Sequence, residues 1–535
     1  MRRFLIVSLA LLTIAGFSRA PAADRGDCGT VVMPLNDISS MSPLYGFTNG
    51  YNGDAVGLMY LNLLWIVDNS RIDWSRSLAQ SITTTDDQTF TVTLRPWVWS
   101  DGVPVTADDV AYYFKLAKAM GPGWADYGLG GMPYKVKAFT IISPTQFQIV
   151  TTEKVNPTWF ILNGIGNLTP LPEHAWRHTT LDQMFQAQSE PGFFRPVDGP
   201  VMVSRLDVGI DATFVPNPRW PGAKLHVSRF IFSFMSNGGE AMLDLRAGTV
   251  DLARLPSEFY GRMKPPAHTH VVVLPQEPYQ NMISLNYRNP AMAAFADVRV
   301  RQAMEDAIDQ AAIVRDVFHG IGDVAYAPVL ESMPQFMSPA IKAGHFPVGY
   351  DPAKARGLLA AAGYAPGKDG IMERDGRRLS FTFLLSAGSN TNTALYEAVQ
   401  SELHAVGIEM KIRNISYNEM LDIEQNQPLD WDATGDGIGV NPYPSGESVF
   451  LAGSGGNSAG YNDATVNRLI ERNLADPDPA YLYDYEDDIS AQQPAIFLPR
   501  GRPIYLVNDR LHGLEAFYAG SAFAPDELYC TGGSP

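Results

Sequence analysis

The sequence predicts an α/β protein of several domains, on three observations. From residue 281 onward, short apolar strands alternate with capped helices, the rhythm of βαβ units. The chain has 535 residues, enough for two to four domains at roughly 150 residues each. Its 45% hydrophobic content is ample for separate cores, and 47 glycines and 39 prolines supply turns without making any stretch low in complexity.

The elements follow in order. Residues 29–34 read as a first strand and 36–52 as a polar, aromatic loop; from Asp54 to Trp65, apolar Val56, Met59, Tyr60 and Leu63 fall at helical spacing. Residues 89–95 alternate apolar and polar, a half-buried strand. Ser100-Asp101-Gly102 is turn chemistry, and Thr106 is placed to cap a helix beginning at Ala107. Strands are expected at 147–150 and from Gly199 to Val203, then a short helix from Ala241, a stop at Gly248 and a strand to Leu252. Residues 281–286 form an apolar strand. Asp297 caps a helix whose buried face is Val300, Ala303, Met304, Ala307 and Ile308. Asp351, with Pro352 in the first turn, opens a helix that ends at Gly363. Strand 379–384, helix 392–406 closed by Gly407, and strand 408–412 complete the rhythm, and Glu486-Asp487-Asp488 reads as a solvated helix face.

The front of the chain predicts export. Arg2 and Arg3 precede an apolar run from Phe4 to Phe17, and Ala20-Pro21-Ala22 offers small residues for cleavage, so residues 1–22 read as a signal peptide cut after Ala22. Arg25-Gly26-Asp27 before Cys28 argues against a lipidated cysteine. The net charge is −17, and loss of the leader's three arginines takes it to −20. Such an acidic surface disfavours nucleic acid and anionic lipid as partners. Cys28 and Cys530 are the only cysteines. In an exported chain they suggest one disulfide tying both ends into one domain, the alternative being two free thiols.

Several stretches taken together resemble a known family. They are Trp97 to Val110, Asn217-Pro218-Arg219-Trp220, Leu245 to Asp251, Phe295 to Asp309, and the Asp351-Pro352 helix ending in Gly363-Tyr364. In this order they resemble the family 5 extracytoplasmic solute-binding proteins of ABC importers, the peptide- and nickel-binding group. The resemblance implies a two-lobed periplasmic-binding-protein fold with hinge strands and an extra domain inserted in the N-terminal lobe. It divides the chain into lobe I (23–65, 192–278 and 495–535), an inserted domain (66–191) and lobe II (279–494). It implies a monomeric periplasmic carrier without a cofactor, closing over a small-molecule or peptide ligand and delivering it to a membrane ABC permease.

In family terms the ligand contacts fall on Tyr45, Phe47 and Asn49 after the first strand, on Trp124, on Tyr279 and Asn281 of a crossing strand, on Tyr417, and on Asp436 to Asn441. Gly437 and Gly439 would let a ligand approach main-chain amides. Peptide carriers of the family place an aspartate where this chain has Asn441, so a clamp on the ligand's ammonium is expected to be absent or moved, with Asp436 the nearest substitute. Opines, oligosaccharides and metal chelates are the alternative ligands.

Enzyme readings find little support. No His-Glu-x-x-His or Gly-x-Ser-x-Gly occurs. Gly363 to Lys368 is one residue short of a phosphate loop, with Asp369 where Ser or Thr belongs, and Gly435 to Gly439 does not match Gly-x-Gly-x-x-Gly. The nine histidines are scattered without metal-ligand spacing. A secreted hydrolase and a ligand-dependent signalling receptor or chaperone remain as competing classes, separable by turnover and by a partner complex.

Overall fold

The computed structural model describes residues 25–35, 38, 40–44, 50–124, 126–235, 238–387 and 389–531. The proposed signal peptide, and Tyr45, Phe47 and Asn49, lie outside them.

The first lobe is built on two sheets. Thr30–Leu35 pairs in parallel with Arg229–Phe234, which continues antiparallel to Asp211–Pro216 and Val201–Asp207. The second sheet sets Ile504–Asn508 between Leu252–Arg254 and Thr269–Val273. The lobe therefore contains both ends of the described chain. The disulfide Cys28–Cys530, with Cα atoms 5.0 Å apart, joins them, and Gly26 exchanges main-chain hydrogen bonds with Cys530 beside it.

Within the span expected for the inserted domain lies a four-stranded antiparallel sheet, Ala79–Thr83, Thr89–Leu94, Gln146–Thr151 and Val136–Ser143 in spatial order. Helix Ala107–Met120, which the sequence predicts from Ala107, packs against the sheet, with Thr106 and Asp109 forming a capping box. Asp109 has a further role: its buried carboxylate also accepts from the Trp99 indole (3.2 Å) and from the Glu173 amide (2.9 Å).

The second lobe is a five-stranded mixed sheet in the order Glu409–Ile415, Ser380–Ser386, Ala433–Gly439, Tyr279–Leu285, Ala495–Phe497. Asp297 caps Val298–Ala307 through the Arg299 amide, and Asp351 caps Pro352–Ala361 through the amides of Ala353 and Lys354. One sequence expectation is overturned. Glu486 does not sit on a solvated helix face: it is fully buried and accepts the Ser338 amide, while only its neighbour Asp487 is exposed. Helix Pro479–Gln492 presents that edge to the N-cap of Pro339–Lys342, where an acceptor meets unpaired amides.

Two segments cross between the lobes, residues 274–279 and 498–503. They are tied by the Leu274 amide to the Pro503 carbonyl (2.9 Å) and the Leu498 amide to the Asn281 carbonyl (2.9 Å). No helix among the described residues is long and apolar enough to cross a membrane.

Candidate functional site

Strand direction marks one edge of the sheet as the candidate site. Ser380–Ser386 runs parallel to both Glu409–Ile415 and Ala433–Gly439. Tyr279–Leu285 is antiparallel to Ala433–Gly439 and to Ala495–Phe497, so four strands of the sheet share one direction. Their carboxyl ends at Ser386, Ile415, Gly439 and Phe497 therefore lie along one edge, together with the amino end at Tyr279. The crossing segments leave from the same edge. In open α/β sheets this is where ligands bind, because the loops beyond the strand ends are free to vary and their amides point outward.

Register then brings the sequence candidates together. Tyr279 pairs with Gly439, Asn281 with Gly437 and Met282 with Asp436. Tyr279 is 41% exposed, and its ring lies so close over Gly437 that a Cβ there would collide with it. Gly437 thus admits a protein ring. Gly439 has nothing within 4 Å of where its Cβ would stand and leaves the strand end open. Asn281 turns to the hinge, its amide donating to the Pro499 carbonyl at 3.0 Å. Tyr417 begins the helix Tyr417–Asn426 just beyond Ile415, capped by Ser416, and is 54% exposed. Asn441 is half-buried two residues past the open strand end. Only the main chain of Asp436 is described.

Trp124 is placed differently from expectation. It is 3% exposed, packs edge-on against Tyr113 at 5.8 Å and donates its indole N–H to the Tyr113 hydroxyl at 3.0 Å. Its ring belongs to the core of the inserted domain. The loop of residues 121–126 suggested a ring facing the ligand; in the structure the ring packs against the helix at Tyr113.

The sequence reading missed three features. First, Arg500 in the returning crossing segment is buried. It donates to the Tyr279 carbonyl at 3.2 Å, and its Nε finds no acceptor among the described residues. Burial lowers its pKa, and Glu331 and then Asp323 oppose that shift. Second, Asp54 stands in helix Gly50–Met59, and burial followed by the charge of Glu277 pushes its carboxyl up to about 7. Glu277 lies in the other crossing segment, two residues before Tyr279. Third, the chain beyond the open strand is fastened to the inserted domain. Asn163 donates to the Tyr443 carbonyl (2.8 Å) and accepts from the Tyr443 amide (2.9 Å), and Asn156 donates to the Tyr443 hydroxyl (2.9 Å). Glu447 accepts from the Trp159 indole (2.9 Å) and the Gly130 amide (3.2 Å); burial raises its pKa to about 7. The one signal in the sequence was the Asn441-Pro442-Tyr443-Pro444 turn, which shows a stiff segment and not its partners.

Among the described residues no group of three or more His, Cys, Asp or Glu is arranged to hold a bare metal ion. The edge and the crossing segments offer aromatic rings, amides, a buried cation and Glu277, whose charge acts on Asp54 of the first lobe. That is a surface for a polar organic solute, whose burial requires its polar groups to be paired.

Comparison with known proteins agrees with this geometry. Residues 74–460 match the model of the bacterial extracellular solute-binding proteins, family 5, middle region. The oligopeptide-binding protein AppA of Bacillus subtilis is 25% identical over 484 residues, covering 88% of this chain and 85% of AppA. The solved structure of that protein with a nonapeptide superimposes with a TM-score of 0.76 at 20% identity, over 95% of this chain and 100% of that one. NikZ of Campylobacter jejuni, solved with Ni(L-His), superimposes with a TM-score of 0.78 at 21% identity, over 94% and 99% of the two chains. With two lobes, crossing hinge segments, an inserted sheet and a family match over most of its length, this chain belongs to the family 5 extracellular solute-binding proteins, the substrate-binding components of ABC transporters.

Proposed function

We propose that this protein captures a peptide-like solute at the hinge-side edge of its second lobe, closes its lobes over it and delivers it to a membrane ABC permease. The observation that carries the reading is the convergence of four strand carboxyl ends, Tyr279 and both crossing segments on one edge facing the other lobe. A ligand there touches both lobes and so stabilises the closed form, which is how binding is reported to a permease. Oligopeptide recognition by AppA supports a peptide-like ligand, and the departure at Asn441 points to one whose amino end is masked or held differently. Non-catalytic transport by a periplasmic monomer, export by the leader of residues 1–22, and division at 66, 192, 279 and 495 form part of the same proposal, as do the ligand contacts at Tyr45, Phe47, Asn49, Tyr279, Tyr417 and Asp436 to Asn441. A chelated metal is the second reading, favoured by the likeness to NikZ.

Native mass spectrometry of protein purified without denaturation is expected to show a retained small solute. Small-angle scattering is expected to show a smaller radius when that solute is restored to stripped protein. A stripped protein whose radius stays unchanged at saturation would overturn lobe closure, and a retained species containing nickel would move the chelate reading ahead.

A further inference from the structure

We propose a second binding site, for an uncharged apolar ring or branched aliphatic group, in a cavity between the inserted domain and the second lobe. The cavity is open-mouthed, about 710 Å³, and its apolar walls are Ile72, Trp74, Ile161, Leu162, Pro334 and Phe336. That volume is within the range of small-molecule sites.

Two properties of the walls define the chemistry. The charges cancel: Arg71 and Asp68 pair with each other at 2.6 Å. The polar side chains are engaged with one another across the gap, Asn69 donating to Ser332 Oγ at 2.8 Å and Gln335 donating to Ser70 Oγ. Most of what is left to meet an occupant is hydrocarbon and aromatic surface, with Thr158 the remaining polar wall residue. Trp74 makes the point most clearly. It is the one exposed tryptophan of nine, at 39%, and no ring or guanidinium among the described residues covers it, whereas Phe336 in the opposite wall stacks edge-on against Tyr443 at 5.2 Å. An aromatic face left open across from an apolar wall is a place for a ring.

The cavity also exists only when the two bodies meet. Residues 68–74 and 158–162 come from one side and 332–336 from the other, and Asn69 bonds both Ser332 and the Gln276 carbonyl of the crossing segment (3.3 Å). An occupant therefore favours the closed form. The Phe336–Tyr443 contact links a wall of this cavity to the segment just beyond the hinge-side edge, Tyr443 being only two residues past Asn441. The occupant is thus either the distal apolar end of the transported solute or a separate apolar molecule. The inference rests on the lobe closure proposed above.

The test uses full-length mature protein labelled with 5-fluorotryptophan, the Trp74 resonance being assigned with Trp74→Phe. Indole at millimolar concentration is the probe for a separate molecule, and Ala-Ala-Phe against Ala-Ala-Ala the probe for a side group of one ligand. A shift of the Trp74 resonance with indole supports the site with a separate occupant. A shift with Ala-Ala-Phe alone, with affinity about tenfold above that for Ala-Ala-Ala, supports a single ligand spanning both regions. Thr158→Phe, which puts a ring into the cavity, is expected to abolish either shift. If neither probe moves Trp74, the site is overturned even where calorimetry shows both peptides binding. If indole moves Trp74 while neither peptide gives heat, the cavity stands and the peptide reading falls.

Discussion

Glu447 is a carboxylate held among amide and indole donors with almost no solvent. Its ordinary pKa is near 4.5, and burial pushes it up to about 7, with Trp159, Gly130 and Lys135 pulling the other way. The folded form therefore holds a proton that the unfolded chain gives up between those values. Its contribution to stability is full below about pH 4.5 and falls as pH rises to about 7. Glu447→Gln keeps the acceptor for Trp159 and removes the buried charge. The variant is expected to gain on the order of 2 kcal/mol at pH 8 over the parent, with no gain at pH 4.5. Denaturant unfolding at the two pH values checks this; equal gains at both would assign the effect to packing. At Asn441 the test is chemical. Asn441→Asp is expected to gain affinity for free-amino peptides over their N-acetyl forms through a charge-assisted bond. Calorimetry that finds the parent already preferring the free amine by about tenfold, ~1.4 kcal/mol, would place the clamp on another carboxylate, Asp436 first.

At the scale of elements, the strand Ala433–Gly439 is shaped by its partner. Tyr279 lies over Gly437, and the ring is a flexible side chain at an exposed edge. Gly437→Ala is therefore expected to move the ring and leave the fold within about 1 kcal/mol of the parent, below the usual cost of overpacking a closed core. Affinity for the retained solute is expected to fall about tenfold if the ring contacts it. Thermal unfolding and calorimetry read the two effects separately, and unchanged affinity would remove Tyr279 from the site. Element identity was well marked in the sequence where caps and periodicity agreed, as at Thr106, Asp297 and Asp351. It failed at Glu486, where a charged local sequence was overridden by packing from a distant segment, and at Trp124 the burial comes from the helix eleven residues earlier. Nothing near Glu486 announces the Ser338 amide.

Across the whole molecule, one disulfide closes a loop of 502 residues. Breaking it releases chain entropy in the unfolded state, and its removal is expected to cost about 2–5 kcal/mol. A Cys28→Ser, Cys530→Ser variant is expected to unfold at lower denaturant while binding unchanged, since the bond lies in the first lobe away from the hinge edge. Loss of binding at full folding would show that the chain ends influence the cleft. Asp251 and Arg510 support the same corner, pairing at 2.7 Å while Arg510 also donates to the Cys28 carbonyl at 2.7 Å, which is why the variant is expected to remain folded.

The sequence by itself determined the α/β class, the order of elements, the resemblance to family 5 and the suggestion that two lone cysteines would pair. These are legible because periodicity, caps and spaced motifs are local, and two cysteines leave one possible bond. Only the tertiary structure decided which candidates meet. Strand direction put Tyr279, Gly437 and Gly439 on one edge, hydrogen bonds turned Asn281 toward the hinge, and the helix at Tyr113 drew Trp124 inward. Arg500, the Tyr443 fastening and the Trp74 cavity were invisible for the same reason. Each brings in a segment more than a hundred residues away, and contacts at that separation are set by how whole lobes pack.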